Sequence, residues 1–394
     1  MGPLEGLRVL ELAGILAGPA VGSFFAELGA DVVKVENPAT GGDPTRGWRL
    51  AGETSPEGLS AYFCSVNWGK RSLALDFTNQ RPLLDRLLER ADVALVNFRP
   101  GSGIDPAGLA RDYPRLVVGS VTGYGPADPR PGFDALIQAE SGFMELTGPP
   151  GGPACKLPVA LLDLLAAHQL KEGLLLALLG REKTGQGALV QVSLWETALA
   201  SLANVATNVL MAGWEPCRLG SEHANLFPYG TLLPCSDGAV LLAIGTDRQF
   251  SALCTALDRS DLTRLYATNR LRVEKREELR SELEAACSSL STQLLLERLL
   301  AAQVPAGRVQ NVRQALESPA AQALLLEDGP LRGLRSLVFS GVERVRLASP
   351  PALGAHSQEV VAQWLQGTFS SEGSPAGSSS STSPGVSRCP QKGQ

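Results

Sequence analysis

Histidine is scarce in this chain of 394 residues: only His168, His223 and His356 occur, and none stands beside another or beside a cysteine pair. No two of the seven cysteines (Cys64, Cys155, Cys217, Cys235, Cys254, Cys287, Cys389) form a C-x-x-C motif. A metal site built from such pairs is not expected, and an odd set of scattered thiols fits mostly buried, reduced cysteines better than a disulfide framework. Charge of one sign is also missing. Lys and Arg number 35 against 40 Asp and Glu, spread along the whole chain. Without a basic field, nucleic acid is excluded as the main partner. Long apolar runs are few. The longest uncharged stretch, 197–214, includes Ser201, Asn204, Thr207 and Asn208 and barely reaches the ~20 residues of a bilayer span. A buried helix in the core or at a subunit interface is expected there, and no membrane partner. The opening Met1-Gly2-Pro3-Leu4-Glu5-Gly6 has no basic, apolar or Arg-rich leader, and position 6 is Gly where myristoylation wants Ser or Thr. A cytoplasmic protein is therefore expected. There is no G-x-x-x-x-G-K-[ST] and no G-x-S-x-G, and Gly14-Ile15-Leu16-Ala17-Gly18 lacks the G-x-G-x-x-G spacing of a dinucleotide loop.

What is present is a chain with 44% hydrophobic residues, long enough for two domains. Over 7–37 it reads strand, Gly/Pro turn, helix, β-branched strand. Strand patterns follow over 72–77, 93–98 and 116–124, with a helix over 81–90 between them. Such alternation predicts a mostly parallel sheet covered by helices, an α/β fold. Residues 160–215 read as Leu- and Ala-rich helices broken by a short strand over 189–193. The style changes over 228–330: a hairpin around Ser236-Asp237-Gly238, then amphipathic helices over 275–288 and 292–302, point to a smaller α+β unit. Beyond 367 the composition collapses into Ser, Gly and Pro, which predicts a disordered tail over 367–394.

Two features carry chemistry. Residues 118–126 (Val-Gly-Ser-Val-Thr-Gly-Tyr-Gly-Pro) form a glycine-rich strand exit, either an ordinary turn or a place where backbone approaches a ligand at the end of a sheet strand. Asp163 is the one acid within an apolar run, Leu157-Pro158-Val159-Ala160-Leu161-Leu162-Asp163-Leu164-Leu165-Ala166-Ala167. It is either the N-cap of the following helix or a desolvated catalytic carboxylate. The roles are compatible, because a carboxylate at a helix N-terminus is favoured in its charged, nucleophilic form. A carboxylate nucleophile attacks activated carbonyls such as thioesters.

A series of stretches in fixed order carries a family resemblance. Among them are Leu4-Glu5-Gly6-Leu7-Arg8-Val9-Leu10-Glu11-Leu12 with Leu16-Ala17-Gly18-Pro19, then Leu28-Gly29-Ala30-Asp31-Val32-Val33-Lys34-Val35-Glu36. Next come Gly42-Asp43-Pro44-Thr45-Arg46, Asn67-Trp68-Gly69-Lys70-Arg71-Ser72, Asn97-Phe98-Arg99-Pro100-Gly101 and Gly132-Phe133-Asp134. Lys183-Thr184-Gly185-Gln186-Gly187, Val304-Pro305-Ala306-Gly307 and Leu353-Gly354-Ala355-His356 complete the series. Over roughly residues 3–366 the chain resembles the class III CoA-transferases, the family of formyl-CoA:oxalate and succinate–hydroxymethylglutarate CoA-transferases.

The resemblance implies a Rossmann-like large domain over 1–215, a small α+β domain over 216–324, a return segment over 325–366 that completes the large domain, and a homodimer of interlocked, threaded rings. It implies coenzyme A and acyl-CoA as substrates, no permanently bound cofactor and no metal. The position matching the family nucleophile is Asp163. Leu16 and Ala17 match the loop along the CoA. Leu75, Asn97, Phe98 and Arg99 match strand ends that line nucleotide and pantetheine. Gly132, Phe133 and Asp134 match the segment beside the nucleophile, and Tyr62 resembles an aromatic that reaches the active site. The oxalate enzymes carry Gln where this chain has Leu16, a basic residue where it has Asn37, and a long Gly-rich loop without counterpart over 218–229. The first difference removes a polar contact beside the acyl group and points away from oxalate; the second takes away a cation beside the CoA phosphates.

The implied reaction moves CoA from an acyl-CoA donor, with succinyl-CoA or another small dicarboxylyl-CoA as the best match, to a free acid through an aspartyl-CoA thioester. Two alternatives belong to other classes. A 2-methylacyl-CoA racemase of the same superfamily needs a His directly before the Asp of Gly132-Phe133-Asp134, where Phe133 stands; His168, five residues past Asp163, reads as a packed or exposed histidine. A scaffold that binds acyl-CoA without turnover would not need an acid at position 163.

Overall fold

The computed structural model describes residues 2–98 and 103–365; the tail expected over 367–394 lies outside them. Six strands form the main sheet: β1 (Arg8–Leu12), β2 (Asp31–Glu36), β3 (Arg71–Ala74), β4 (Val93–Val96), β5 (Val117–Thr122) and β6 (Leu189–Ser193). Their order is β3-β2-β1-β4-β5-β6, and every pairing is parallel. Parallel sheets are buried on both faces, and the side-chain alternation follows. Val9, Val32, Leu95 and Val117 pack on one face under the Ala17–Glu27 and Leu161–Thr184 helices, with Phe25 and Leu170. Leu10, Val33, Val96 and Val118 pack on the other with Leu84, Leu109 and Trp364, from the Arg81–Leu88, Pro106–Asp112 and Ser357–Leu365 helices. The strand order reverses between β1 and β4. In open α/β sheets that reversal leaves a crevice at the carboxyl ends of the two strands.

Charged residues interrupt the buried strands, and each is matched. Lys34 Nζ lies 3.0 Å from Glu11, 2.9 Å from Asp43 and 2.7 Å from the Ala13 carbonyl oxygen. Lys70 Nζ lies 2.8 Å from Glu11. Arg46 forks onto both carboxylate oxygens of Glu36 at 2.7 Å. Gly22, inside the first helix, makes room for this network: a Cβ there would stand 1.8 Å from Glu11 Oε2.

A second apolar cluster system, Phe227 through Val304, has its own core. It joins the antiparallel strands β7 (Tyr229–Cys235), β8 (Gly238–Ala243) and β9 (Ala306–Arg308) to the Asp247–Ala256, Arg276–Cys287 and Thr292–Ala301 helices. The chain then returns. The β10–β11 hairpin (Leu325–Asp328 and Leu331–Leu334) packs on Cys64 and Trp68. The Ser357–Leu365 helix is pinned to the sheet by Trp364 Nε1 donating to Asp31 at 2.7 Å and by Ala74 N donating to Ser357 Oγ at 3.0 Å.

Two expectations are corrected here. The uncharged 197–214 stretch is not in the core of the chain. It spans parts of two helices, Leu194–Ser201 and Ala203–Ala212, and the second buries none of its residues, with Leu210 85% and Met211 83% exposed. Nor are the thiols mostly buried: Cys64, Cys254 and Cys287 are, but Cys155 and Cys217 are exposed and Cys235 is intermediate. Among the described residues no helix is long and apolar enough to cross a membrane.

Candidate active site

The crevice at the β1/β4 reversal is a cleft of about 310 Å³. Its walls bring together Leu16, Ala17, Asn97, Phe98, Gly132, Phe133 and Asp163, residues far apart in the sequence that were singled out for this role. Val121, Thr122 and Gly123, from the glycine-rich strand exit, line it as well. The glycines there serve backbone contact. A Cβ on Gly123 would come 2.4 Å from the Gly132 Cα, and one on Gly132 would come 2.0 Å from the Gly123 Cα.

Asp163 is 9% exposed and sits in the first turn of the Leu161–Thr184 helix. It is not the cap. The helix starts two residues earlier, its N-cap residue is Ala160, and no side chain of its own caps it. The missing acceptor comes from elsewhere: Leu162 N donates to Asp134 Oδ1 at 2.8 Å. Asp134 is held by Gln138, whose Nε2 donates to Oδ2 at 2.6 Å and whose Oε1 accepts from Leu157 N at 2.8 Å. Asp134 therefore anchors the helix start and stands behind Asp163 rather than lining the cleft. Among the described residues Asp163 has no ion pair and no side-chain hydrogen bond. Burial, and then the negative charge of Asp134, push its carboxyl up to about 7.

The opposite wall is the loop between β1 and the Ala17–Glu27 helix. Ile15 sits at φ 69°, a left-handed conformation that is strained for a β-branched residue. Two side chains hold it. Asp43 accepts from Ile15 N at 3.2 Å, while Asn97 accepts from Gly14 N at 3.0 Å and donates to the Gly14 carbonyl oxygen at 2.7 Å. Burial pushes the Asp43 carboxyl up, but Lys34 and the Thr45 donors more than offset it and hold it below the ordinary range. The helix that follows has Leu16 as N-cap residue and no side-chain cap, so its first backbone N–H groups are presented at the cleft. Ile15, Pro44 and Arg130 also line the cleft and escaped sequence reasoning. The Gly42-Asp43-Pro44-Thr45-Arg46 stretch was the signal for Pro44; Arg130, paired with Asp128 at 2.9 Å, left none.

The remaining residues fall elsewhere. Leu75 is fully buried in the core beneath the other face of the sheet. Arg99 lies outside the described residues. Asn37 caps a short 3-10 turn, its Oδ1 accepting from Ala39 N at 2.9 Å. Tyr62 lines a second cavity that adjoins the cleft across Leu16, and its ring meets Trp48 edge-on at 5.1 Å. Burial first, then the charges of Asp163, Asp134 and Asp43, raise its phenol above the ordinary range. His168 is exposed.

Known proteins share this arrangement of elements. A CaiB/BaiF family protein from Brucella suis superposes with a TM-score of 0.80 at 36% identity, covering 92% of this chain and 99% of that one. The succinate–glutarate CoA-transferase of Agrobacterium fabrum is 35% identical over 383 residues, 92% of this chain and 95% of that protein. The succinyl-CoA:mesaconate CoA-transferase of Haloarcula marismortui is 36% identical over 337 residues, 81% and 83% of the two chains. The family model described as CoA-transferase family III matches residues 4–357. With the fold, the relatives and the family model in agreement over nearly its whole length, the chain belongs to CoA-transferase family III and is a CoA-transferase, an enzyme whose substrates are CoA thioesters.

Proposed function

We propose that the protein transfers CoA from succinyl-CoA, or another short dicarboxylyl-CoA, to a free carboxylic acid, with Asp163 as nucleophile. One observation carries this reading: Asp163 is a buried carboxylate that has no partner among the described residues and faces a cleft. A group so placed is either a defect or a reagent. Asp163 Oδ attacks the thioester carbonyl, the CoA thiolate leaves, and an aspartyl acyl anhydride remains. The thiolate then attacks the aspartyl carbonyl, which releases the first acid as carboxylate and leaves an aspartyl-CoA thioester. The acceptor carboxylate attacks that thioester and expels the thiolate. The thiolate attacks the acceptor carbonyl, giving the new acyl-CoA and free Asp163. One thioester is exchanged for another, so no other energy source is consumed.

The uncapped N–H groups at the start of the Ala17–Glu27 helix are the donors suited to the oxyanions. Leu16, Ala17, Asn97 and Phe98 flank the pantetheine arm, with Gly132 and Phe133 across from them. Phe133 carries no proton to exchange, which speaks for acyl transfer over racemisation. The relatives support the choice of substrates: succinyl-CoA or succinate recurs in their names with a second dicarboxylate. The expected division into a Rossmann-like domain over 1–215 and 325–366 and a small domain over 216–324 is retained, as is the homodimer. The exposed Leu210 and Met211 are surfaces that a partner subunit would cover.

The test is a trapping experiment. Wild-type protein is incubated with succinyl-CoA, treated with hydroxylamine or borohydride, digested and read by mass spectrometry. The expected product is a modified Asp163 and no other modified acid. CoA transfer without modification at Asp163, or with modification elsewhere, overturns the nucleophile.

A further inference from the structure

The cavity that adjoins the cleft measures about 470 Å³ and is walled largely by apolar side chains, among them Leu16, Val66, Trp68 and Leu164. Lys171 lines it. This lysine is 8% exposed, yet among the described residues it has no hydrogen bond and no ion pair; its Nζ lies 5.6 Å from the centre of the Phe24 ring. The acid nearest in charge, Glu27, is committed to the return segment. Its carboxylate accepts from Ser336 N and Ser336 Oγ, both at 2.7 Å, and from Leu337 N at 3.4 Å. Glu27 lines the same cavity without forming an ion pair with Lys171, and the remaining titratable groups on the wall are His168 and Tyr62, neither of them an anion. A buried ammonium without a counter-ion is expensive to keep. Burial accordingly holds Lys171 below the ordinary lysine range, with Glu27 opposing.

The position of this cation relative to Asp163 suggests its use. The two residues share the Leu161–Thr184 helix, and Lys171 lies eight residues further on. At about 1.5 Å per residue their Cα atoms are separated by roughly 12 Å along the axis. Long helical side chains lean toward the N-terminus, so the Lys171 stem extends back toward Asp163. Leu16 borders both the cleft and the cavity, and Tyr62 on the cavity wall feels the charge of Asp163. The cleft that holds the nucleophile and the largely apolar cavity that holds the ammonium thus share the Leu16 wall, and Lys171 is the cation on the cavity side.

We infer that this cavity holds the acyl chain of a short aliphatic dicarboxylate, with Lys171 as the counter-ion for the carboxylate that does not react. The inference rests on the transfer reaction proposed above and names the residue that selects its substrates. A monocarboxylic acid of equal length would leave the ammonium unpaired in an apolar space, so the site discriminates by withheld pairing as well as by attraction.

The experiment compares glutarate with valerate, the same chain lacking one carboxylate, as acceptors of CoA from succinyl-CoA. Wild type should prefer glutarate. In Lys171→Met the ratio of kcat/KM values, glutarate over valerate, should fall roughly 10- to 100-fold, the value of one charge-assisted contact in a dry site. Lys171→Arg, which keeps the charge, should retain most of the selectivity. Lys171→Met should also melt at a higher temperature than wild type, because an unpaired buried charge is removed. If that variant does not fold, Lys171→Gln gives the same comparison. A selectivity ratio in the neutral variant within about twofold of wild type overturns the inference, as does a wild-type enzyme that transfers CoA to both acids equally; in either case the transfer reaction stands. A wild-type enzyme that transfers CoA to neither acid overturns this substrate assignment, and the Asp163 trapping experiment with succinyl-CoA then decides whether the transfer reaction falls with it.

Discussion

Two regions of the molecule bury charge in opposite ways. Under the carboxyl ends of β1 and β2, Glu11, Lys34, Glu36, Asp43, Arg46 and Lys70 are buried, and each is in an ion pair. Along the Leu161–Thr184 helix the pattern splits. Arg181, near its end, pairs with Asp92 at 3.0 Å, whereas Asp163 and Lys171 are buried and, among the described residues, unpaired. Pairing turns a buried charge into a fixed strut: the first region holds the strained Ile15 loop through Asp43. An unpaired buried charge destabilises the chain that carries it and is retained where a reaction or a ligand completes it. Function is therefore sought where the charges do not balance.

The comparison breaks first at Asp163. Replacement by Asn keeps size and removes the nucleophile, so CoA transfer is expected to fall by roughly 10⁴-fold or more, as when a nucleophile is removed from other covalent enzymes. The fold should survive, because Asp163 caps nothing and Asp134 still accepts from Leu162 N. Steady-state transfer rates, after mass spectrometry has excluded deamidation back to Asp, decide it. Retention of more than a few per cent of activity would return Asp163 to the status of a helix residue.

The paired region should fail in the other direction, through stability. Lys34→Met leaves Glu11 and Asp43 facing each other in the interior without the ammonium between them. Burial pushes the Lys34 ammonium down, but the carboxylates of Glu11, Asp43 and Glu36 more than offset this and raise it to about 12. Breaking one side of such a pair is expected to destabilise the protein by about 3–5 kcal/mol, read from the denaturant midpoint. A loss under about 1 kcal/mol would mean that the network is not a strut. Asp43→Asn is the milder version. It keeps the size of the side chain and weakens the hold on Ile15, so stability should drop by ~1–3 kcal/mol and KM for acyl-CoA should rise. A stability change with no change in KM would separate the loop from substrate binding.

How much of this was legible beforehand depends on distance along the chain. The β-branched run over Asp31–Glu36 and the Gly/Pro turn before the first helix are local signals, and the strand and helix appeared where they pointed. Asp163 was legible because it is the one acid in an apolar run. The cap that it was expected to supply comes instead from Asp134, 28 residues before the donor Leu162, and no local pattern marks such an exchange. Lys171 gave no sign at all. Between Leu170 and Glu172 it reads as an ordinary exposed helix charge, and its burial depends on a cavity wall that includes Leu326 and Ser336, returning from the far end of the chain. The thiols, and the core placement that was one of two alternatives for the Ala203–Ala212 helix, mislead for a related reason: composition tells what a residue prefers, while burial depends on what the rest of the chain brings to it.

The mildest way to sharpen the comparison is to titrate it. Paired acids and the unpaired one should answer pH in different windows. Burial raises the Glu36 carboxyl, but the Arg46 hydrogen bond and the charge of Lys34 outweigh it, and Glu36, like Asp43, lies below the ordinary range. The stability these two contribute is present above their unfolded values and is lost only as pH falls through the lower folded ones. Asp163 runs the opposite way. Its folded value of about 7 lies above the ordinary 3.8, so its stabilising contribution is full below 3.8 and disappears as pH rises through 7. Two measurements follow. The transfer rate should climb with pH and level off above neutrality, with roughly a tenfold loss one pH unit below the Asp163 value and no loss of fold. The melting temperature of Asp163→Asn relative to wild type should also rise between pH 5 and pH 8, roughly the window over which wild type acquires its uncompensated charge. A flat difference across that range, together with a rate that ignores pH, would place the Asp163 charge in contact with a cation or donor and remove the distinction between the two regions.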